Sequence, residues 1–492
     1  GGPVQSQTAI FSKLIKDFMR RVPLAVETGV PCARLIERLA AEDASSATVT
    51  DGQGRPLGII TEQDITRRVA LRALPETPVE DVMTAPVMTI PADEYLYFAI
   101  ARMRRHGLRH MPVVDAGGGL VGMLDLHDAL AVAAERLVGQ IDILTRDDSL
   151  DGLKQIKAAQ VELAAQLLED NLPAPEIQAL LTHVNRDIYR RLVDLSLLAM
   201  EAEGHGPPPV GFCVVVMGSG GRGENFLYPD QDNGFILGDY PDDRHTEIDS
   251  WFIELAERLT GDLDAVGIPL CHGHVMATNP LWRKTLTQWK EQIALWSRKR
   301  NPTALRLCDI FFDFRSAWGD AAMAEELRAV VTRVTSANPV FLRDMYADDA
   351  EHGVALGFFR RFITERKDKE HKGKINLKHT GTLPLVESVR LLALSEGVEN
   401  LSTLGRMRVL HESGFLGVDE YDYLFGAYTL ITRLLLRQQV ADFKAGVPVS
   451  NYVDPKFLTE RERDMLVDSF KAIRALRGRV KDEFSVEVLG TP

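Results

Sequence analysis

Residues 217–236 read Met217-Gly218-Ser219-Gly220-Gly221-Arg222-Gly223-Glu224-Asn225-Phe226-Leu227-Tyr228-Pro229-Asp230-Gln231-Asp232-Asn233-Gly234-Phe235-Ile236. The apolar run Phe212 to Met217 reads as a buried strand. Gly218-Ser219-Gly220-Gly221 reads as a turn whose backbone N–H groups can approach a polyphosphate. If Asp230 to Leu237 is a strand, its period of two sets Asp230 and Asp232 on one face, about 7 Å apart and able to share metal ions. A glycine-lined phosphate cradle followed by a carboxylate pair is what nucleotidyl transfer needs. Apolar residues on both sides, Val214 to Val216 and Phe235 to Leu237, would bury the strands and hold the polar groups at one rim. The plain alternative is a hairpin with solvated acids, in which Arg222 and Glu224 form a surface ion pair worth little to stability.

At this spacing Gly218-Ser219 and Asp230-x-Asp232 resemble the signature of the DNA polymerase beta superfamily of nucleotidyltransferases. With Arg222-Gly223-Glu224 between them, the wording is closer to the PII uridylyltransferases and glutamine synthetase adenylyltransferases. The resemblance implies that Gly218 and Ser219 hold the β- and γ-phosphates of ATP or UTP. It also implies that Asp230 and Asp232 are catalytic and bind Mg²⁺, that Arg222 pairs with phosphate oxygens, and that Glu224 positions Arg222 or a metal-bound water. Members usually need a third carboxylate on a neighbouring strand. The stretch Gly267 to His274, where that strand is expected, contains no acid. The nearest alternatives are Asp309 and Asp313. Asp313 is carried as the catalytic candidate, with a structural ion pair to Arg315 as its other reading. His272 or His274 would serve as a base, or as a core histidine.

A chain of 492 residues exceeds one core and predicts three or four domains. The net charge of −13 argues against a general nucleic-acid binder, whose affinity depends on clustered Lys and Arg. The acidic balance suits a soluble cytoplasmic protein. Cys32, Cys213, Cys271 and Cys308 lie far apart without metal spacing and read as small core residues. No apolar run is long enough to span a bilayer, and the opening Gly1-Gly2-Pro3 does not read as a signal peptide.

An internal repeat fills residues 22–135. Ser46 to Asp51, a turn at Gly52-Gln53-Gly54 and Leu57 to Ile65 recur as His110 to Asp115, a turn at Gly117-Gly118-Gly119 and Val121 to Ala129. Strand, glycine turn, strand and helix occur twice. This resembles a tandem pair of CBS domains, which implies clefts for AMP, ADP or ATP and a homodimer through this part. Gly58, Thr61 and Asp64 match the family's Gly-x-x-Thr-x-x-Asp segment, which implies Thr61 on a phosphate and Asp64 on ribose hydroxyls, near helix N-terminal N–H groups that favour anions. Thr and Asp are equally good helix caps. The second unit has Gly122, Asp125 and Asp128, a carboxylate where the hydroxyl should be, so at most one good cleft is expected.

Apolar spacings of three and four from Ala133 to Met200, including Leu137, Ile141 and Leu144, predict a helical connector over 136–206, and Gly204 to Pro209 marks its end. The nucleotidyltransferase candidate spans 207–335. It is expected to hold a helix Glu247 to Leu263, a short strand Ile268 to Met276 and a helix Trp282 to Trp296 whose three Trp residues read as core. Residues 340–487 predict a helical domain. Its basic stretch Lys372 to Gly381 either reaches a triphosphate or an acidic partner, or is a solvated charge run.

The expected fold is therefore α/β and α multidomain: CBS pair, helical connector, polymerase-beta-like α/β domain and C-terminal helical domain. The whole resembles a bacterial family of signal-transduction nucleotidyltransferases with CBS domains, some of which add a cyclic-nucleotide-binding domain not expected here. Two functions follow: a nucleotide-regulated transferase moving NMP to a protein or small-molecule acceptor, or a nucleotide-binding regulator without turnover. Neither a nucleic-acid nor a membrane partner is expected.

Overall fold

The computed structural model describes residues 14–64, 75–133, 149–298, 301–350 and 352–485. The chain divides into two units, residues 1–139 and 140–492. The connector positions Leu137, Ile141 and Leu144 lie outside the described residues.

In the first unit the repeat is visible strand by strand. β1 (Ala25–Glu27), α1 (Cys32–Ala41), β2 (Ser46–Thr50) and β3 (Pro56–Thr61) are followed by β4 (Ile90–Pro91), α2 (Leu96–Arg105), β5 (His110–Val114), β6 (Leu120–Asp125) and α3 (Leu126–Ala133). β1 runs parallel to β2 and β2 antiparallel to β3, and β4, β5 and β6 repeat the pattern. Each glycine turn joins the antiparallel pair, and Ala47, Val49 and Ile60 are buried beneath the first sheet. The lead-in of each repeat crosses to the other: Thr84 bridges Ile59, and Arg20 bridges Met123. That exchange brings Arg20, ahead of the expected start at residue 22, onto the second sheet.

The second unit is built on a four-stranded sheet. β7 (Phe212–Val216), β8 (Asn233–Leu237), β9 (Arg283–Thr285) and β10 (Arg315–Gly319) lie in the order β10-β7-β8-β9. β7 is antiparallel to both β10 and β8, and β9 is parallel to β8. Alternation decides the layering, because successive side chains of a strand point to opposite faces. Phe212, Val214 and Val216 face one core, shared with Leu153 and Ile156 of α4 (Leu150–Glu169), Ile188 and Leu192 of α5 (Ala174–Ala202), and Phe252 and Leu255 of α7 (His245–Val266). Cys213, Val215 and Met217 face the other core. That core continues through α8 (Leu286–Arg298), α9 (Pro302–Phe311), α10 (Ala321–Ser336) and α11 (Pro339–Asp349). It extends into α12 (Leu383–Ser395), α13 (Thr403–Glu412), α14 (Val418–Lys444) and α15 (Glu460–Ser485).

Three expectations change. The connector helices α4 and α5 pack directly on the sheet, so they cover one face of the nucleotidyltransferase layer. The core on the opposite face runs unbroken past residue 335, so the C-terminal helices share it. The stretch Ile268 to Met276 forms turns and not a strand; the strand beside β8 is β9. Trp282 precedes α8, and all three tryptophans are core, with Trp289 stacked on Phe311. No helix of the described residues is long and apolar enough to cross a membrane.

Candidate active site at the end of β7

The site begins where β7 runs out. Met217 N donates to Asp232 O at 2.9 Å, and the chain then turns at Gly218 with φ +60° and ψ −135°. This backbone region is essentially reserved for glycine. A Cβ there would also lie 3.2 Å from Asp232 Oδ2, so the turn and the carboxylate are in close approach. The short helix α6 (Ser219–Arg222) follows. Gly221 packs so tightly that a Cβ would fall 1.5 Å from the Asp313 carbonyl oxygen.

β8 starts at Asn233, so Asp230 and Asp232 precede the strand rather than open it. The alternation of side chains survives. Gln231 and Asn233 are both 0 % exposed. Gln231 Nε2 donates to the carbonyls of Thr260 (3.0 Å) and Ile268 (3.1 Å), and Asn233 Oδ1 accepts from Ala277 N at 2.9 Å. Anchoring these two inward leaves Asp230 and Asp232 to line one pocket with Ser219 and Gly220. The space it encloses, counted out to open solvent, is about 360 Å³.

The electrostatics of the pocket are uneven. Burial pushes the Asp232 carboxyl up to about 7; the Cys271 thiol, 3.6 Å from Oδ1, works against that rise and the charge of Asp230 adds to it. Cys271 is therefore a half-buried neighbour of the carboxylate pair, unlike the three buried cysteines. Lys378, an exposed residue of the basic stretch, lies in electrostatic range of Asp230 and Asp232. Two convergent carboxylates of which one is short of counter-charge are hard-oxygen donors that fit Mg²⁺.

Behind the turn runs a polar relay. Ser219 Oγ accepts from Asn225 Nδ2 (2.9 Å), Asn225 Oδ1 from Asn185 Nδ2 (3.0 Å), and Asn185 Oδ1 from Lys157 Nζ (3.2 Å). Lys157 is 6 % exposed, and burial drives its ammonium down to about 7.

Glu224 holds Arg222, one of its two expected roles, whereas Arg222 and Asp313 are placed differently from the sequence reading. Arg222 is tied up: Nε donates to Glu224 Oε1 at 2.9 Å and Nη1 to Asp313 Oδ2 at 2.8 Å. Glu224 also accepts from Thr403 N at 2.6 Å, so it fixes the start of α13. Asp313 is 0 % exposed, pairs with Arg222, Arg390 and Arg406, and does not line the pocket. Burial alone would raise its carboxyl, but Arg406, Arg390 and Arg222 outweigh it and hold it well below the usual carboxylate range. A carboxylate so enclosed cannot collect a proton from an acceptor in the pocket. Its partners are these three arginines, not Arg315. His272 and His274 are exposed and do not line the pocket either.

The arginine that does line the pocket is Arg186, from α5. Its Nε is buried without a hydrogen-bond partner, and among the described residues no ion pair holds it. Burial, then repulsion from Arg315, lowers its guanidinium to about 10. No motif marks Arg186 or Lys157; the only signal would have been a polar residue on the sheet-facing side of α5 or α4.

In the first unit Thr61 and Asp64 hold each other. Asp64 Oδ2 accepts from Thr61 N (3.0 Å) and Oγ1 (3.1 Å), and Thr61 Oγ1 accepts from Asp64 N at 3.3 Å, a reciprocal cap. In the second unit Asp125 takes the capping place, accepting from Asp128 N at 3.2 Å, and lies 3.2 Å from His110 Nε2.

Residues 158–303 match the family model described as "Putative nucleotidyltransferase DUF294", and residues 339–484 that described as "Putative nucleotidyltransferase substrate binding domain". Residues 15–71 and 79–135 each match the CBS domain. The chain joins a CBS pair to a DUF294 nucleotidyltransferase domain and its C-terminal companion. The DUF294 match includes Arg186 and the whole glycine turn. Among curated proteins the chain is 32 % identical over 103 residues to a 17.7 kDa protein of Acidianus ambivalens, covering 21 % of this chain and 62 % of that one. It is 30 % identical over 112 residues to a protein of Methanopyrus kandleri, covering 22 % and 57 %. The chain thus spans less than two thirds of the length of either relative. A CBS domain protein from Pyrobaculum aerophilum solved with AMP is 27 % identical, covering 23 % of this chain and 88 % of that one, with a TM-score of 0.22.

Proposed function

We propose that the chain is a nucleotidyltransferase that moves NMP from ATP or UTP to a protein or small-molecule acceptor, under control of adenine nucleotide at the CBS pair. The observation that carries the reading is the convergence of Asp230 and Asp232 on the glycine turn inside one pocket. Gly218, Ser219 and Gly220 offer the polyphosphate a turn free of side-chain bulk. Arg186 supplies the unpaired guanidinium that Arg222 cannot, suited to bidentate contact with phosphate oxygens. Asp230 and Asp232 would hold Mg²⁺, which when bound offsets charge on the phosphates. The acceptor oxygen attacks the α-phosphorus, the bond to the bridging oxygen breaks and pyrophosphate leaves. Lys378, in range of both aspartates, is placed to offset charge at the reacting end.

A second reading, a nucleotide-binding regulator without turnover, has its own support: among the described residues no third carboxylate lines the pocket, and β9 carries Arg283, Lys284 and Thr285. Incubation with labelled ATP or UTP, Mg²⁺ and host lysate separates the two. Label transfer that disappears in Asp230→Ala/Asp232→Ala supports the enzyme; nucleotide binding with no pyrophosphate release under any condition favours the regulator. At the CBS pair, Thr61 and Asp64 would exchange their mutual hydrogen bonds for phosphate and ribose, and Asp64→Ala should weaken AMP, ADP or ATP in calorimetry. A homodimer through the CBS pair, taken from the resemblance, is tested by solution mass with and without AMP.

A further inference from the structure

A second group of chemically active side chains lies in the C-terminal half, apart from the pocket at β7. Asp349 ends α11, and the turn that follows, closed by His352 N on Asp349 O at 3.0 Å, brings His352 back beside it. Glu387 comes from α12, and His352 Nδ1 lies 2.9 Å from both its carboxylate oxygens. One donor atom from each of Asp349, His352 and Glu387 falls within 4.8 Å of the others. Asp349 and Glu387 are both 5 % exposed.

Two buried acids beside one imidazole are costly unless something positive joins them. Two guanidiniums are near: Arg390 is engaged by Asp309 at 3.2 Å and Asp313 at 2.9 Å, and Arg477 Nη2 donates to Ala350 O at 2.9 Å. Asp349 Oδ1 remains buried with no hydrogen-bond partner. Asp349 thus carries an oxygen without a hydrogen-bond partner and stands between two groups, His352 with Glu387 on one side and Asp309 with Asp348 on the other, and a cation held with the imidazole would meet both the hydrogen-bonding and the charge deficit. Asp349 and Glu387 also line a cleft with Ser388 and Arg477.

We propose that Asp349, His352 and Glu387 bind one divalent first-row transition-metal ion, a site distinct from the Mg²⁺ pair at Asp230 and Asp232. The mixed donor set decides the class. Imidazole with carboxylates suits Mn²⁺, Fe²⁺, Co²⁺ or Zn²⁺, whereas Mg²⁺ keeps to oxygen and retains its waters. Bound there, the ion ties the end of α11 to α12.

The test uses the full chain carrying Asp230→Asn/Asp232→Asn, stripped with chelator, so that the other carboxylate pair does not contribute. Titration with Co²⁺ is expected to give one tight equivalent with visible d–d absorption, not displaced by millimolar Mg²⁺, and Mn²⁺ or Zn²⁺ should compete for it. His352→Gln should change the spectrum through loss of the nitrogen ligand, and Asp349→Asn should lose the tight equivalent. Absence of stoichiometric Co²⁺, Mn²⁺ or Zn²⁺ binding to the stripped protein overturns the proposal, as does a spectrum unchanged in His352→Gln. Should Asp349→Asn fail to fold, Glu387→Gln gives the same reading. None of these outcomes depends on whether the protein transfers nucleotides.

Discussion

At the scale of single residues, Asp232 is the group whose protonation the site has to contend with. Burial lifts its carboxyl to about 7, far above the roughly 3.9 of an unfolded aspartate. The folded protein therefore holds a proton that the unfolded chain has released, and stability falls as pH rises from about 4 to about 7, then levels off. Asp232→Asn should flatten that slope: melting temperatures match wild type near pH 4 and exceed it at pH 8. A metal must displace the same proton, so wild-type affinity for Mg²⁺ with nucleotide should drop below pH 7. Calorimetry across pH 5.5–8.5 checks this, and a flat affinity would remove Asp232 from the metal pair. Arg186 makes a separate claim. Charge-assisted hydrogen bonds contribute about 1.5–3 kcal/mol, so Arg186→Gln should weaken triphosphate binding by roughly ten- to a hundredfold. Nucleoside binding should hardly change, and equal loss for both would mean that Arg186 only shapes the pocket.

At the scale of elements, the arginine cluster around Asp313 fastens α6 and β10 to the C-terminal helices. Arg222 comes from α6, Arg390 from α12 and Arg406 from α13, and Asp313 lies just before β10. Asp313→Asn leaves three buried guanidiniums short of their anion. Losing one partner of a buried pair typically costs about 3–5 kcal/mol, so the variant should unfold at clearly lower denaturant. A full-strength fold with abolished transfer would instead restore a catalytic part for Asp313. Gly221→Ala drives a methyl into the Asp313 carbonyl and should cost about 1–3 kcal/mol through the same joint, read by chemical denaturation. This joint also marks the limit of what the sequence discloses. Phe212 to Met217 and Phe235 to Leu237 are unbroken apolar runs beside turn residues, so the buried strands and the glycine turn were legible from local pattern. Asp313 was visible only as an acid near the right place. Its partners Arg390, Arg222 and Arg406 lie 77, 91 and 93 positions away, and no local period encodes such contacts. Arg186 and Lys157 escaped for the same reason: each is an ordinary helical position until the sheet is laid against it. The carboxylate pair was legible in its facing but not in its strand, since alternation outlasts the ladder by three residues.

At the scale of the whole molecule, two separately cored units imply two separable stabilities. The first unit rests on residues such as Leu35, Val49 and Ile60, while the second is held by the two faces of one sheet and the helices that cover them. Because each core closes on itself, heating should produce two calorimetric transitions rather than one, the departure from two-state behaviour usual for such chains. A ligand stabilises only the unit that binds it. Adenine nucleotide at a hundred times its Kd adds about 2.7 kcal/mol, which moves the midpoint of a unit this small by several degrees or more. The transition that AMP raises should be the one that Asp64→Ala makes unresponsive, while nucleoside triphosphate with Mg²⁺ should raise the other and lose its effect in Asp230→Ala/Asp232→Ala. Control of transfer by the CBS pair demands more than two independent responses, because linkage requires each ligand to change the other's affinity by the same factor. Calorimetric titration of triphosphate with and without saturating AMP measures that factor: a shift in affinity supports regulation through the CBS pair, and a factor of one leaves two nucleotide sites that share a chain without sharing free energy.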